Sequence, residues 1–252
     1  MNKKRDMICK IYSFFMEYGK RRGLKKGGEN MHENYESADF HASSSTHAHL
    51  KKVYAWMFVA ILVTALVSLF IAGNDSIFES IFTSKTIIVL LVVEVIFAFI
   101  LGPVIVKLPP AVGFIMFMIY SVLNGITLSV IFEVYTTASI ANTFFIAAGM
   151  FAALSIYGYT TKRDMSGLGT FLFMALIGFF IASIVNIFIA SSAFDWILSV
   201  IGVLLFSGLT AYDTQMIKNE PFYRKYPLMG ALQLYLDFIN LFINLLKLFG
   251  DD

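Results

Sequence analysis

Residues 226–246 read YPLMGALQLYLDFINLFINLL, an apolar stretch of 21 residues that contains a single acid, Asp237. Gln233, Asp237, Asn240 and Asn244 fall at offsets of −4, 0, +3 and +7, which places all four on one face of an α-helix. The other faces carry leucine, phenylalanine and isoleucine. One carboxylate and three amides cannot face lipid, so the stretch predicts a membrane-spanning helix whose polar face is turned to the protein centre.

Charged residues divide the rest of the chain into intervals that have the length of a membrane span. A spanning helix needs about 20 mostly apolar residues, because hydrocarbon cannot satisfy backbone N–H and C=O groups. Seven intervals fit: 53–74, 86–106, 108–132, 134–161, 165–194, 196–217 and 226–246. Hydrophobic residues make up 58% of the chain and charged residues 14%, against about 45–50% and 25% in soluble domains. An ordinary soluble enzyme is excluded, and we predict an all-α membrane protein with seven transmembrane helices.

The positions of lysine and arginine predict the orientation, because cytoplasmic loops hold the excess of both. If residues 1–52 are inside, 17 of the 19 Lys and Arg residues lie on the cytoplasmic side, and Lys85 and Lys247 lie outside. We therefore expect a cytoplasmic amino terminus. Seven spans place the carboxyl terminus outside, unless the polar last segment is a re-entrant hairpin that returns it to the cytoplasm.

The first 50 residues differ in composition from the transmembrane domain of residues 51–252. Residues 1–26 carry nine Lys and Arg residues around a short apolar run, and residues 27–50 are polar and without periodicity, as in a linker. A basic helix on the membrane surface is one interpretation, but we expect a disordered cytoplasmic tail. His47 and His49 suggest weak metal binding; a solvated linker is the stronger interpretation, because zinc sites usually have about four preorganised ligands.

Three predicted spans contain an acid: Glu94, Asp213 and Asp237. An ionised group inside a span costs roughly 2.5–3.5 kcal/mol on insertion scales, so it faces the bundle interior or water and indicates a functional site. Asp213 lies at the cytoplasmic end of the sixth span, and Asp237 lies about ten residues into the seventh from the same side. If these two spans are antiparallel neighbours, the two carboxyl groups lie at similar depth.

Two carboxyl groups that meet away from water cannot both stay ionised cheaply, so we expect Asp213 and Asp237 to share a proton and to sense pH. They are equally a nucleus for Ca²⁺, which takes about 6–8 oxygen ligands that Asn240, a backbone carbonyl and water would complete. The simpler interpretation of each aspartate is a solvated acid near the interface. Glu94 either joins the same polar centre or stays neutral by protonation.

Three motifs resemble the Bax inhibitor-1 family, and look most like its bacterial branch. They are GLTAYDTQ (208–215), LYLDFINLF (234–242) and YGYTTKRD (157–164), and the resemblance covers about residues 48–250. It implies a seven-helix fold in which the last helix is central and the others surround it. It also implies a pH-sensitive Ca²⁺ leak in which Asp213 and Asp237 form a di-aspartyl pH sensor.

One part of the chain departs from the family pattern. Calcium-leak relatives carry an arginine near the cytoplasmic end of the second span that latches to the first aspartate, whereas residues 102–107 read GPVIVK. Lys107 is the candidate latch in its place. A lysine makes a point contact where an arginine makes a bidentate one, so gating is expected to differ.

The leading hypothesis is therefore a passive, pH-sensitive calcium leak in a bacterial cytoplasmic membrane, with Ca²⁺ as the bound or transported ion, no cofactor and no enzymatic activity. One alternative is a regulator that binds a membrane-bound protease or secretion complex, with the basic tail as the contact. A minor alternative is an intramembrane aspartyl protease, whose second motif, Gly-Leu-Gly-Asp, is absent around Asp237. A net charge of +2 gives no indication of a nucleic-acid partner.

Overall fold

The computed structural model describes residues 31–82 and 84–251, with side chains for residues 48–82, 86 and 89–251. Residues 45–252 form one compact unit. Helices make up the described elements, and no strand occurs within the described ranges. In chain order they are α1 (Met31–Ala72), α2 (Asp75–Ile81), α3 (Ser84–Lys107), α4 (Pro110–Leu128), α5 (Ile131–Val134), α6 (Thr137–Thr160), α7 (Leu168–Ile189), α8 (Ser192–Asn219), α9 (Pro221–Lys225) and α10 (Pro227–Phe249).

The seven predicted spans are confirmed, because seven helical segments are long and apolar enough to cross a membrane. They are Ala48–Ala72, Val89–Lys107, Pro110–Val134, Thr137–Thr160, Leu168–Ile189, Ser192–Asn219 and Pro227–Phe249. The third span combines α4 with the short α5. The protein is an all-α membrane protein, as the intervals between charges predicted.

Helix boundaries follow local capping chemistry. Proline is the first residue of α4, α9 and α10, where its fixed φ suits a helix and its missing N–H removes no helical hydrogen bond. The side chains of Thr136 and Ser191 cap α6 and α8 by accepting hydrogen bonds from the backbone N–H groups of Ser139 and Phe194. These caps separate spans that would otherwise run together, since the connections between them are short.

The amino-terminal tail differs from the expected linker. Residues 1–30 lie outside the described residues, so the prediction of a disordered basic arm there stays a prediction. From Met31 the chain is helical, whereas residues 27–50 were expected to be irregular. The reason is that no glycine or proline interrupts residues 31–72, so the helix of the first span continues toward the amino terminus.

His49 is the clearest departure from that linker. Its side chain is buried, and Nε2 donates a hydrogen bond to the Ile217 carbonyl oxygen at 2.8 Å. The expectation that His49 is solvated is therefore wrong. The side chain of His47 lies outside the described residues, so weak metal binding by this pair stays a prediction.

Hydrogen bonds show which helix ends lie together. The bond from His49 joins the start of the first span to the end of the sixth, and Lys218 Nζ donates to the Tyr159 carbonyl oxygen at 2.7 Å, which adds the end of the fourth. Most of the connections at this end carry Lys or Arg, and we call it the basic end. At the opposite end, Lys247 Nζ contacts Asp195 Oδ1 at 3.0 Å.

The last helix, α10, is the centre of the bundle. In its most apolar window 72% of the residues are buried, against 6% for the peripheral α7. It packs on α8, α6, α3 and α4. The central position of the carboxyl-terminal helix, which the family resemblance implied, is thus confirmed.

The carboxyl terminus lies at the opposite end from the basic end. The Asp251 N–H donates to Ser139 Oγ at 2.9 Å, and its carbonyl accepts from the Thr136 N–H at 3.2 Å. Because α10 is one continuous helix of 23 residues that ends there, it is a complete span. The alternative of a re-entrant hairpin is therefore not what the structure shows.

Small residues allow the central helices to approach closely. A Cβ atom added to Gly158 on α6 would overlap the backbone carbonyl of Ala211 on α8. A Cβ atom added to Gly202 on α8 would overlap the amide of Asn244 on α10. In a membrane, where burying apolar surface gives no advantage over lipid, such close backbone packing is a main source of helix association.

A glycine-to-alanine pair on one helix tests this packing. Gly158→Ala must displace backbone atoms of α8 and is expected to lower the free energy of unfolding by at least ~1–3 kcal/mol. Gly149→Ala lies on the same helix with nothing within 4 Å of the added Cβ, and is expected to be neutral or to stabilise by ~0.5–1 kcal/mol. Thermal unfolding in detergent measures both, and equal stability of the two variants would contradict the packing argument.

Candidate functional site

Asp213 and Asp237 come together between α8 and α10. Both residues are buried, with 7% and 4% of their surface exposed. Their carboxyl groups hydrogen-bond each other. Because an ionised carboxylate only accepts hydrogen bonds, a bond between two carboxyl groups requires a proton on at least one of them. Such a pair can share one proton between its two carboxyl groups.

The pair is not part of a larger cluster of metal-ligating side chains among the described residues. Within the part of the chain that the structure describes, no group of three or more His, Cys, Asp or Glu side chains comes together. The ion pair between Lys247 and Asp195 lies at the opposite end of the bundle. A cation at this site would therefore complete its shell with neutral oxygen atoms.

The other polar residues of the α10 stripe bond mainly to their own helix. Asn240 Nδ2 donates to the Leu236 carbonyl at 2.8 Å, and Asn244 Nδ2 donates to the Asn240 carbonyl at 2.7 Å. Asn244 is also buried against Gly202 of α8. These bonds satisfy amide donors that lipid could not, which explains how the two asparagines fit inside a spanning helix.

Gln215, two residues after Asp213, holds the connection between α6 and α7 against α8. Its Oε1 accepts from the Met165 N–H at 2.9 Å, and its Nε2 donates to the Arg163 carbonyl at 2.9 Å. Gln215 and Met165 are both buried. The same turn of α8 thus carries one aspartate of the pair and the residue that fixes the loop at the basic end.

The connection between α6 and α7 also contains an internal hydrogen bond. Asp164 is exposed, and its Oδ1 accepts a hydrogen bond from the Ser166 N–H at 2.9 Å. This bond, with a second from the Ser166 side chain, holds the pKa of Asp164 below its usual value. Asp164 therefore stabilises the turn rather than joining the buried pair.

Glu94 lies in a separate polar cluster on the far side of α10. Its side chain lies close to Thr127, Tyr120 and Tyr235. Tyr235 is fully buried, two residues before Asp237, and two residues on a helix point to nearly opposite faces. The structure thus does not bring Glu94 into contact with the two aspartates.

Lys107, the candidate latch, ends α3 with an exposed side chain at the basic end. Among the described side chains it forms no ion pair with Asp213. A latch between these two residues stays a prediction. Among the described residues, no side-chain hydrogen bond or ion pair fixes Lys107, whereas the carboxyl groups of Asp213 and Asp237 contact each other.

Comparison of the sequence with known proteins identifies the family. The family described as "Inhibitor of apoptosis-promoting Bax1" matches residues 46–252. The chain belongs to the Bax inhibitor-1 family. The resemblance found in the three sequence motifs is therefore confirmed.

Several bacterial proteins are similar to this Bax inhibitor-1 member. The Escherichia coli (strain K12) protein named "Inner membrane protein YbhL" is 48% identical over 213 residues, which is 81% of this chain and 91% of the relative. A Rickettsia prowazekii protein is 39% identical over 81% of this chain and 89% of its own length. An uncharacterized membrane protein of Streptococcus pyogenes serotype M1 is 46% identical over 63% of this chain and 72% of its own length. None of these names carries an enzymatic activity.

Two residues near this Bax inhibitor-1 site were missed in the sequence: Gln215 and Tyr223. Gln215 stands within the motif 208–215, where its position after a buried acid was a usable signal. Tyr223 lies on the short helix α9, and burial raises its pKa to about 12, with a further rise from the negative charge of Asp213. Nothing in the local pattern of residues 219–226 marks this tyrosine, because its environment is created by contacts with α8 and α10.

The Gln215 contacts predict a measurable effect on the loop. Gln215→Leu removes two hydrogen bonds and leaves the Met165 N–H and the Arg163 carbonyl unpaired, at ~1–3 kcal/mol for each group that stays buried. We expect a lower unfolding temperature and faster tryptic cleavage after Lys162 or Arg163 in detergent. The control is Thr160→Val, whose hydroxyl is exposed and donates to its own helix. A cleavage rate equal to that of the control would show that Gln215 does not hold the loop.

Proposed function

We propose that the protein is a passive, pH-sensitive calcium leak of a bacterial cytoplasmic membrane, gated by Asp213 and Asp237. The observation that carries this proposal is the contact between two buried carboxyl groups on neighbouring spanning helices. Membership of the Bax inhibitor-1 family supports it, since the family resemblance implies such a sensor. Acids placed this way in a membrane are costly, and a structural role alone would be served as well by amides.

The chemistry of the pair links protons to cations. When the shared proton leaves, two negative charges stand side by side where even one costs roughly 2.5–3.5 kcal/mol. Two responses relieve this: a divalent cation binds between the carboxylates, or the carboxylates move apart. Proton and Ca²⁺ thus compete for one place, and separation of the carboxylates moves α10 relative to α8.

The central position of α10 makes such a movement effective. Because α10 packs on four other helices, a shift that separates Asp237 from Asp213 alters several helix interfaces at once. Protonation that releases α10 would open the leak in acid, whereas simple competition would displace Ca²⁺ in acid. Both mechanisms use the same two aspartates. The first predicts that flux rises in acid, and the second predicts that it falls.

Three further residues complete the proposal. Asn240 follows Asp237 by three positions on the same face, and its amide oxygen is a candidate ligand, since the amide nitrogen bonds to Leu236. Glu94 is a second ionisable group for the ion pathway. Lys107 is proposed to latch to Asp213 in a closed form, as a point contact in place of the arginine of relatives.

The membrane and the orientation of the chain in it are also part of the proposal. The E. coli relative is an inner membrane protein by name. The basic end carries Lys107, Lys162, Arg163, Arg224 and Lys225, so we propose that this end and the amino terminus face the cytoplasm.

Calcium flux into proteoliposomes tests the sensor. The wild-type rate is expected to depend on pH, because the two carboxyl groups of the proposed sensor titrate as one unit. Asp237→Asn cannot release the proton or offer a second charge, so its flux is expected to be nearly independent of pH. A rise of wild-type flux in acid indicates release of α10, and a fall indicates competition for the site.

The matched control is Asp195→Asn, which makes the same chemical change at an exposed salt bridge at the opposite end. Its flux–pH curve is expected to follow the wild type, because a surface ion pair contributes ~0–1 kcal/mol. If Asp237→Asn keeps the wild-type curve, the assignment of Asp213 and Asp237 as the sensor is refuted.

A further inference from the structure

Two buried oxygen atoms lie one helical turn apart on α10 and lack hydrogen-bond donors. Asp237 Oδ2 and Gln233 Oε1 are both enclosed, and apart from the Asp213 carboxyl no donor among the described residues reaches them. Residues separated by four positions lie on the same face of a helix. A buried acceptor without a donor costs ~1–3 kcal/mol, and lipid offers no donor to relieve it. Two such atoms on one face of a helix are satisfied by a cation or an ordered water.

The Gln233 side chain is held by Tyr223, which lies on the short helix α9 at the basic end. The side chains of Tyr223 and Gln233 hydrogen-bond each other, and Tyr223 is also close enough to Asp213 to feel its charge. Because Gln233 Oε1 has no donor among the described residues, the Gln233 N–H is the donor in this bond and the phenolic oxygen accepts. An amide whose nitrogen is fixed in this way presents its oxygen in a set direction.

Gln233 also lies on the cytoplasmic side of the pair in the proposed orientation. It comes one turn before Asp237 on a helix that starts at the basic end with Pro227, and α9 with Tyr223 immediately precedes that start. A cation that passes between the basic end and the pair would meet Gln233 before Asp237. The amide oxygen is a hard, neutral ligand of the kind that Ca²⁺ accepts beside carboxylates.

We propose that Gln233 Oε1 is a third ligand atom of the cation site formed by Asp213 and Asp237, and that Tyr223 is the positioning residue that holds it there. This inference rests on the proposed function, because it assumes that a divalent cation occupies the pair. It adds a specific requirement. Cation binding depends on the neutral amide of Gln233 as well as on the two aspartates, and on Tyr223, which does not touch the cation.

Equilibrium Ca²⁺ binding to the purified full-length protein, measured as a function of pH because Ca²⁺ and the shared proton compete for one place, tests the inference directly. Gln233→Leu removes the oxygen and is expected to weaken Ca²⁺ binding by at least ~10-fold. Tyr223→Phe removes only the hydroxyl and is expected to weaken binding in the same direction by a smaller factor. The control Asn186→Leu replaces an amide on the peripheral α7 and is expected to bind Ca²⁺ like the wild type.

The outcomes separate this inference from the proposed function. If Asp237→Asn abolishes Ca²⁺ binding while both Gln233→Leu and Tyr223→Phe keep the wild-type affinity, the third ligand is refuted and the sensor stands. If the wild type itself binds no Ca²⁺, the proposed function fails as well. Should Gln233→Leu not fold, Tyr223→Phe decides, because it keeps the buried ring: an unchanged affinity then overturns the positioning role and the ligand assignment with it.

Discussion

The constraint on which the structure depends is that polar groups inside a membrane must find their partners within the protein. Asp213 and Asp237 meet this constraint by binding each other, which fixes α8 against α10 at that depth. Asn240 and Asn244 meet it by bonding to their own helix, and Tyr235 meets it through Thr64 Oγ1 at 2.7 Å. A helix with this many polar groups is stable only when other helices surround it, so the polar stripe and the central position of α10 have one cause.

The motif at residues 208–215 can be explained residue by residue from the same constraint. Ala211 lies against Gly158, so that α6 and α8 approach at backbone distance, and Thr214 donates to Ser155 Oγ at 3.5 Å. Asp213 faces α10, and Gln215 turns to the loop that follows α6. Successive side chains of one segment therefore contact three different parts of the bundle. The segment is a junction, and its sequence is restricted on every face.

Much of this architecture could be predicted from the sequence, because charge is excluded from lipid wherever it occurs in the chain. The intervals between charged residues gave all seven spans, and the helical period put the stripe of Asp237 on one face. Long-range pairings could not be obtained in this way. Gln215 bonds to residues about 50 positions earlier, and His49 bonds to a carbonyl 168 positions away. Such contacts depend on how the spans are arranged, which periodicity within one span does not contain.

The two polar clusters on α10 restrict how this helix can move. Thr64 Oγ1 donates its one proton to the Ser121 carbonyl at 3.0 Å, so Tyr235 must be the donor in the bond between Tyr235 and Thr64. That bond holds α10 to α1 on one face, while the carboxyl pair holds it to α8 on the nearly opposite face. The Tyr235 bond involves no titrating group at neutral pH, whereas the carboxyl pair depends on a proton. In the proposed sensor, loss of the shared proton would therefore release only one side of α10, and the expected motion is a rotation or tilt about the Tyr235 side rather than a loss of the helix from the bundle.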